Sequence, residues 1–369
     1  MERRDYLRAA GATGSLALAG CLDGGGDTGT TSTSGTTGTT SGDRTLTVAT
    51  YQSYVDGEDS PGAWLKNEFE AANGGVTVEW TTPSGGSSSG INEYIQRAKQ
   101  GAEIDADLYV GLNTGELVRI DEELDDPLFA TVTDALSHAG DVKEALTVDP
   151  DGRALPYDTG YITPVMDATV LDDVPTTFDD LLDPAYEGDL LAENAQSSDT
   201  GEAFLLWSIH EKGPDGYLDY WRDLLDNGVR VLDTWQAAYN AYTKGESPMV
   251  VSYSTAQVYA ANNGEDIEKY HLGFLDEQGY ANPETAAVFE ASDTPDLAAS
   301  FLDFMLSADA QNVVPQKNYQ YPATTTGSLS GNFAKYAQEP ADPVTFTYDE
   351  LAGNVTGWIE DWARLVAQH

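Results

Sequence analysis

Aromatic and hydroxyl side chains are concentrated between residues 233 and 259, in the stretch DTWQAAYNAYTKGESPMVVSYSTAQVY. The spacing in its first half predicts a helix that begins near Trp235, behind a polar cap at 233 or 234, and ends at Gly245. The apolar run 248–253 then predicts a buried strand. The carboxyl end of that strand delivers three side chains to a loop, namely Tyr253, Ser254 and Thr255.

Such a loop has the chemistry of ligand binding. In open α/β sheets, ligands bind at the carboxyl ends of the strands. Aromatic faces bind flat or cationic ligands by stacking and cation–π attraction, at about 0.5–2 kcal/mol each. Six aromatic residues fall at the ends of predicted elements or in loops, and we expect at least two of them to be ordinary packing. The six are Tyr51, Trp235, Tyr253, Tyr259, Tyr319 and Tyr321.

Patterns for catalysis or for a metal centre do not stand out. The chain has 62 acidic residues, so chance alone produces carboxylate pairs and no glycosidase-like pair is supported. Four histidines and a single cysteine show no metal-ligand spacing. The glycine/serine loop 84–90 lacks the lysine of a phosphate-binding P-loop. We therefore predict a binding protein that is not an enzyme and that carries no cofactor.

The elements that would position these side chains begin with a βαβαβ order. Strands are predicted at 45–49, 76–80 and 107–112, with helices from Pro61 and over 91–99 between them, which favours a parallel sheet with right-handed crossovers. An extended segment, 152–166, is long enough to pass between two lobes. Further helices are predicted to start at 177, 201, 217, 295 and 354, and a strand at 286–290 runs back across.

The first 43 residues predict export and a membrane anchor. Arg3-Arg4 resembles a twin-arginine signal, and the apolar stretch that follows is too short to span a bilayer. Residues 18–21, LAGC, resemble a lipobox in which Cys21 carries the lipid; the alternative is an ordinary helix with a buried cysteine. The Gly/Ser/Thr-rich segment 22–43 predicts a flexible tether. We expect a lipoprotein exported to the outer face of the cytoplasmic membrane.

The charge is strongly negative. Lys and Arg number 18 against 62 Asp and Glu, for a formal net charge of −44. Such a surface repels nucleic acid and anionic lipid headgroups. The acids are scattered over loops and helix faces and not gathered in one tail, so we favour adaptation to high salt over a surface made for a basic partner.

With these residues in view, the chain resembles the thiamine-binding proteins of bacterial thiamine ABC transporters over nearly all of residues 44–369. The stretches that carry the resemblance are TLTVATYQSY, ADLYVGL, PYDTGY, residues 234–259, FLDFMLSADAQN and NYQYPATT. The resemblance implies an α/β, two-lobe, type II periplasmic-binding-protein-like fold, with mostly parallel sheets and crossing hinge strands. It divides the chain into a signal (1–21), a tether (22–43), lobe 1 (44–157), lobe 2 (158–260), a return to lobe 1 (261–345) and a C-terminal helix (346–369).

The resemblance also implies which residues contact the ligand. The family's contact positions and aromatic cleft positions fall on Tyr51, Ser198, Asp199, Trp235, Tyr253, Ser254, Thr255, Ala256 and Tyr259. Three positions depart from the family pattern. Ser89-Gly90 stands where the family has Asp-Gly, Tyr319 where it has a Trp, and Asp199 where it has a hydroxyl residue, which disfavours a phosphate there.

These implications predict a monomeric solute receptor that binds thiamine or a related cationic heteroaromatic and delivers it to an ABC permease. Two alternatives stay open. One is a ferric-iron receptor of the same fold that uses tyrosinates such as Tyr253 and Tyr259. The other is an exported hydrolase of a thiamine phosphate, although no nucleophile–base pair in the sequence favours it.

Overall fold

The structure is a computed structural model that describes residues 44–83 and 90–369. The predicted signal, tether and lipidated Cys21, together with Ser89, lie outside the described residues. Within the described ranges eleven strands form one sheet. They are β1 Arg44–Ala49, β2 Val76–Thr81, β3 Leu108–Leu112, β4 Ala154–Met166, β5 Leu190–Glu193, β6 Arg230–Leu232, β7 Met249–Tyr253, β8 His271–Leu272, β9 Gln278–Val288, β10 Tyr321–Pro322 and β11 Asp342–Val344.

Helices pack on this sheet, and none of them in the described ranges is long and apolar enough to cross a membrane. They are α1 Gln52–Val55, α2 Pro61–Ala72, α3 Ile91–Lys99, α4 Thr114–Glu123, α5 Asp199–Lys212, α6 Tyr217–Asp226, α7 Trp235–Thr243, α8 Ala256–Asn263, α9 Pro295–Leu306, α10 Ala308–Gln311, α11 Val314–Lys317, α12 Gly331–Tyr336, α13 Tyr348–Leu351 and α14 Val355–Val366.

The sheet consists of two parallel groups joined by two long antiparallel strands. Its order is β2-β1-β3-β9-β4-β7-β5-β6. The first group, β2-β1-β3, is parallel, which confirms the βαβαβ prediction. The second group, β7-β5-β6, is also parallel. Between them β4 and β9 run antiparallel to each other and are almost wholly buried, so they are the strands that connect the two groups.

Each strand group has its own apolar core. Around the first group, Val48 and Val110 pack with Phe69 and Phe301, whose rings meet edge to face at 5.0 Å. Around the second group, Phe204 and Trp207 pack with Trp221 and with Trp362 of α14. The two strand groups therefore each pack against their own set of apolar side chains on one connected sheet.

Local signals set most element ends where the sequence places them. The Ser60 side chain accepts a hydrogen bond from the Ala63 N–H at 3.2 Å and so caps α2 just before Pro61. The Thr234 hydroxyl caps α7 in the same way, and Gly245, at φ 73°, follows its end. The helices predicted from 201, 217, 295 and 354 are confirmed within two residues at their starts.

The helix predicted from Thr177 is wrong. The chain there forms two short 3₁₀ turns, Asp180–Leu182 and Pro184–Tyr186. The Asp180 carboxylate accepts hydrogen bonds from the backbone N–H groups of Thr176 and Thr177, and the Thr177 hydroxyl accepts one from the Asp180 N–H, so the segment has a helix start but completes only one turn. A proline then follows Asp183 and disfavours the helical conformation before it. The predicted lobe boundaries at 157/158 and 260/261 fall inside β4 and α8, and they stay predictions.

Candidate functional site

A cavity of about 330 Å³ lies where β7 ends and the helices α5, α7 and α8 begin. This volume is at the lower end of the range of about 300–1,000 Å³ that is typical of small-molecule sites. Aromatic, hydroxyl and carboxyl side chains line it together. The lining residues are Tyr51, Ser53, Ser198, Asp199, Thr200, Trp235, Tyr239, Ser252, Tyr253, Thr255, Ala256, Tyr259, Glu284, Lys317, Asn318, Tyr319 and Gln320.

The Trp235 indole forms an aromatic wall because the Thr234 cap makes it the first residue of α7. Tyr239, one helical turn later, stacks on it with ring centroids 4.8 Å apart and an interplanar angle of 24°. The indole Nε1 donates to the Ser252 hydroxyl at 3.0 Å. Tyr253 meets the indole edge at 6.3 Å. The indole is thus held in a fixed orientation at the cavity surface before any ligand arrives.

Tyr51, just after β1, is fixed by Glu284 of β9. Its hydroxyl donates to Glu284 Oε2 at 2.8 Å, and the Tyr157 hydroxyl donates to the same oxygen at 2.5 Å. The Tyr51 ring fits because residue 111 has no side chain: a Cβ on Gly111 would lie 2.6 Å from Tyr51 Cε1. Gly111 also has φ +99°, a conformation that other residues rarely adopt.

Two buried carboxyls face each other across the connecting strands. Asp158 of β4 and Glu284 of β9 are partners in the strand register. Like charges directly opposite each other in a sheet repel. Burial, and then the charge of Glu284, raise the pKa of Asp158 well above its usual range; burial raises the pKa of Glu284 as well. The Asn318 amide donates to Asp158 Oδ2 at 2.9 Å and to the Tyr51 hydroxyl at 2.9 Å, which ties the pair to the cavity wall.

Asp199, the first residue of α5, places another carboxyl in the cavity. Burial, followed by the charges of Glu284 and Glu202, raises the pKa of Asp199 to about 8. Its Oδ1 accepts a hydrogen bond from Asn113 Nδ2 at 3.3 Å. Lys317 also lines the cavity, but its Nζ donates to the Asp59 carbonyl at 3.0 Å. Across the described residues, neither Asp199 nor Glu284 forms a salt bridge with a Lys, Arg or His.

The comparison with protein families is decisive at this point. The model of the family described as bacterial extracellular solute-binding protein matches residues 64–341, which is more than half of the chain.

The chain belongs to the bacterial extracellular solute-binding proteins.

Individual relatives agree with this family. The thiamine-binding periplasmic protein of Salmonella typhimurium is 30% identical over 327 residues, which cover 88% of this chain and 94% of that protein. A solved structure of a periplasmic thiamin binding protein superposes with a TM-score of 0.74 at 29% identity and covers 87% of this chain and 96% of that one. A ferric binding protein from Campylobacter jejuni, at 17% identity and a TM-score of 0.69, covers 87% and 99% and shares the fold.

These findings confirm the two-lobe, type II α/β fold that the resemblance implies. The family is one of transport receptors and not a family of enzymes. The cavity of this solute-binding protein lies between the two strand groups. Asp199 and Trp235 line it from the side of the second group, and Tyr51 lines it from the side of the first.

The structure places nine of the twelve residues predicted to bind ligand along this one cavity. They are Tyr51, Ser198, Asp199, Trp235, Tyr253, Thr255, Ala256, Tyr259 and Tyr319. Ser254 is fully buried beside the cavity, with its hydroxyl 3.3 Å from that of Tyr321. Gly90 is buried as the residue before α3 and does not line the cavity. For all twelve residues, including the undescribed Ser89, ligand contact stays a prediction.

Tyr321 is one of the aromatic residues that serve ordinary packing. Its ring is 2% exposed and lies 5.3 Å from that of Tyr161. Tyr319 is different, because it lines the cavity with φ 56°, an uncommon conformation for a bulky side chain. Its ring lies 5.5 Å from that of Tyr259. Strain of this kind is found where function needs a side chain in one place.

Sequence reasoning missed eight lining residues, which come from the strands, turns and helix ends around the cavity: Ser53, Thr200, Tyr239, Ser252, Glu284, Lys317, Asn318 and Gln320. Two of them had a usable signal. Tyr239 follows Trp235 by one helical turn, and Asn318 directly precedes Tyr319.

The alternative of a ferric-iron site meets an electrostatic difficulty. Ferric iron binds ionised tyrosines, yet burial, followed by the charge of Glu284, raises the pKa of Tyr253 well above 10. Burial, followed by the charge of Glu265, raises the pKa of Tyr259 too. The hydrolase alternative needs a nucleophile beside a base. The Ser198 hydroxyl instead lies 2.9 Å from the Thr200 hydroxyl, which is not a base.

Proposed function

We propose that this solute-binding protein is the receptor of an ABC importer for thiamine or a closely related cationic heteroaromatic. One observation carries the proposal: aromatic faces and carboxyls without cationic partners line the same cavity. Thiamine combines two flat rings with one permanent positive charge, so it can use both features. The relatives named as thiamine-binding periplasmic proteins support the same choice.

The ligand would lie against the Trp235 indole, with Tyr51, Tyr253, Tyr259 and Tyr319 around its rings. Ser198, Thr255 and the backbone at Ala256 would supply polar contacts. Ser254, Gly90 and Ser89 are proposed as further ligand contacts. Stacking and cation–π attraction at this wall contribute about 0.5–2 kcal/mol per aromatic contact.

Thiamine is favoured over its phosphates by charge. A phosphate group would enter a cavity that holds Asp199 and Glu284, while the one lysine in the lining, Lys317, is hydrogen-bonded to a backbone carbonyl outside it. An unpaired buried anion pays a large desolvation cost and is repelled by these carboxyls. The carboxyls of the lining therefore support a selectivity for the unphosphorylated vitamin.

The same proposal includes where the receptor works. Residues 1–21 would direct export through a twin-arginine route, Cys21 would carry the lipid, and residues 22–43 would tether a monomeric domain to the outer face of the membrane beside the permease. Labelling with a radioactive fatty acid tests the anchor: Cys21→Ala should remove the label, and a label that persists would exclude this site.

The function is tested by calorimetric titration of residues 44–369 in molar salt, where the acidic fold is screened. Thiamine, thiamine monophosphate, thiamine pyrophosphate and ferric citrate are titrated separately. We expect thiamine to bind most tightly. Tight binding of ferric citrate with a purple-red colour, and no heat from any thiamine species, would refute the proposal in favour of the iron receptor.

A further inference from the structure

Asp199 occupies an unusual position for a carboxyl. It begins α5 and lines the cavity, and its only hydrogen-bond donor within the described ranges is Asn113. The direction of the Asn113 amide is fixed by the start of α4. Asn113 Oδ1 accepts from the Glu116 N–H at 2.8 Å, and Glu116 Oε2 accepts from the Asn113 N–H at 3.2 Å. Because Oδ1 is used in this capping box, Nδ2 is the atom that faces Asp199.

One oxygen of Asp199 is therefore satisfied and the other is left over. In the described part of the chain, Oδ2 receives no hydrogen bond, and Asp199 is partly exposed at the cavity wall. Gln320, which also lines the cavity, is 3% exposed, and its buried Oε1 has no hydrogen-bond partner among the described residues. Acceptors left without donors in a cavity are completed by a ligand that brings donors or positive charge.

The charged surroundings of Asp199 are mostly negative. Glu202 lies on the same helix, and Glu284 lines the same cavity from β9. Glu116 on α4 adds a third carboxyl, and Arg119 on α4 is the cation that opposes them. The phenols that face this group are Tyr109 of β3 and Tyr253 of β7, and Lys317 of α11 lines the cavity.

We propose that Asp199 is the counter-ion of the bound cation, and that it gives up its proton to solvent when the cation enters. The inference rests on the proposed function and deepens it, because it assigns the charge-selecting step to one side chain. The carboxylic acid loses H⁺, the resulting carboxylate pairs with the permanently charged ring, and the proton passes to buffer. A neutral ring offers no such exchange and leaves the acid protonated.

The direction of the pH effect follows from linkage. In the empty cavity the raised pKa, about 8, keeps Asp199 largely protonated at pH 6. A bound cation lowers that pKa, so binding releases a proton wherever the pH lies between the two values. The affinity for a cation therefore rises with pH, by about tenfold or more between pH 6 and pH 8, and levels off above that.

The experiment is calorimetry of residues 44–369 with thiamine at pH 6, 7 and 8, each in two buffers of different ionisation enthalpy, which gives the number of protons released. Asp199→Asn keeps the shape and the hydrogen bond but cannot ionise. Asp296→Asn is the matched control, since Asp296 is an exposed acid in the first turn of α9. Deazathiamine, in which a neutral thiophene replaces the thiazolium ring, is the ligand control.

We expect the wild type and Asp296→Asn to release a proton on binding thiamine and to bind it more tightly as the pH rises. Asp199→Asn should release none, show a flat pH profile and bind thiamine at least about tenfold more weakly at pH 8. Binding of deazathiamine should release no proton from the wild type or from the variants. Thiamine binding by the wild type without proton release would overturn the role of Asp199 alone. Failure of thiamine to bind at every pH would instead overturn the proposed function.

Discussion

Replacement of Trp235 by alanine tests whether the aromatic wall binds the ligand. The indole is partly buried, stacks on Tyr239 and is oriented by its hydrogen bond to Ser252. Its loss removes about 0.5–2 kcal/mol of stacking and cation–π attraction. About 40 Å² of ligand surface then stays exposed to water, which at about 25 cal/mol per Å² costs a further 1 kcal/mol.

The sum, about 1.5–3 kcal/mol, corresponds to a Kd that is roughly 10- to 150-fold higher for thiamine. The assay is calorimetric titration in molar salt, with thermal unfolding of the same sample to show that the variant is folded. The matched control is Trp64→Ala. Trp64 is also partly buried on a helix and stacked, with its ring 5.9 Å from that of Phe304, but it lies outside the cavity.

Trp64→Ala should lower the unfolding temperature and leave the Kd within about twofold, since truncation of a stacked tryptophan costs stability wherever it occurs. Trp235→Ala should raise the Kd. If Trp235→Ala bound thiamine as tightly as the wild type, the indole would not face the ligand. If both variants weakened binding equally, the loss would reflect general destabilisation.

Three further results follow from the structure. Gly111→Ala should lower the free energy of unfolding by about 1–3 kcal/mol and weaken thiamine binding, because the new Cβ clashes with the Tyr51 ring at a φ of +99°; denaturant unfolding and titration check both effects. Arg153→Met should destabilise the fold by about 3–5 kcal/mol near neutral pH, because it leaves the buried Asp149 carboxylate without its partner. Burial opposes ionisation of Asp149, but hydrogen bonds from Arg153 and the backbone prevail and lower the pKa of Asp149. The ionised carboxylate therefore stabilises the fold above the ordinary aspartate pKa near 4, and this stabilisation is lost in acid. Thermal unfolding of wild type and variant should therefore converge as the pH falls below about 4. Finally, the Kd for thiamine should change by less than about threefold between about 1 M and 3 M salt, since buried charges are screened little, and a tenfold change would place the controlling charges at the surface.

The parts of the fold that could be predicted from the sequence are those that local signals determine. α9 begins at Pro295, as the sequence predicts, because a proline suits the first turn and the apolar spacing is clear. The helix predicted after Thr177 failed because Pro184 ends it after one turn, and hydrophobic spacing does not register that stop. β9 was predicted only over its last residues, since its first part, with Asn282 and Glu284, is polar for a buried strand.

The residues of the candidate site also divide into those that local spacing predicts and those that it does not. Trp235 and Tyr253 lie within one continuous stretch, so helix and strand spacing place them together. Glu284 reaches the cavity through the β4–β9 pairing, a long-range contact that the sequence does not encode locally. The abundance of acids hid it further, because with 62 of them in the chain no single carboxylate stands out.

The acidic residues have two different physical roles, which the net charge does not separate. Carboxylates on the surface stay hydrated and ionised, and salt screens them from one another. Asp158 and Glu284 are buried as opposed partners in adjacent strands, where burial raises both pKa values and the charge of Glu284 raises that of Asp158 further. A bound cation favours the ionised form of nearby carboxyls and stabilises the native chain by mass action. Because Asp199 lies on the second-group side and Glu284 on a connecting strand, the cation attracts both walls of the cavity, so a positively charged ligand favours the arrangement in which the two lobes close on it.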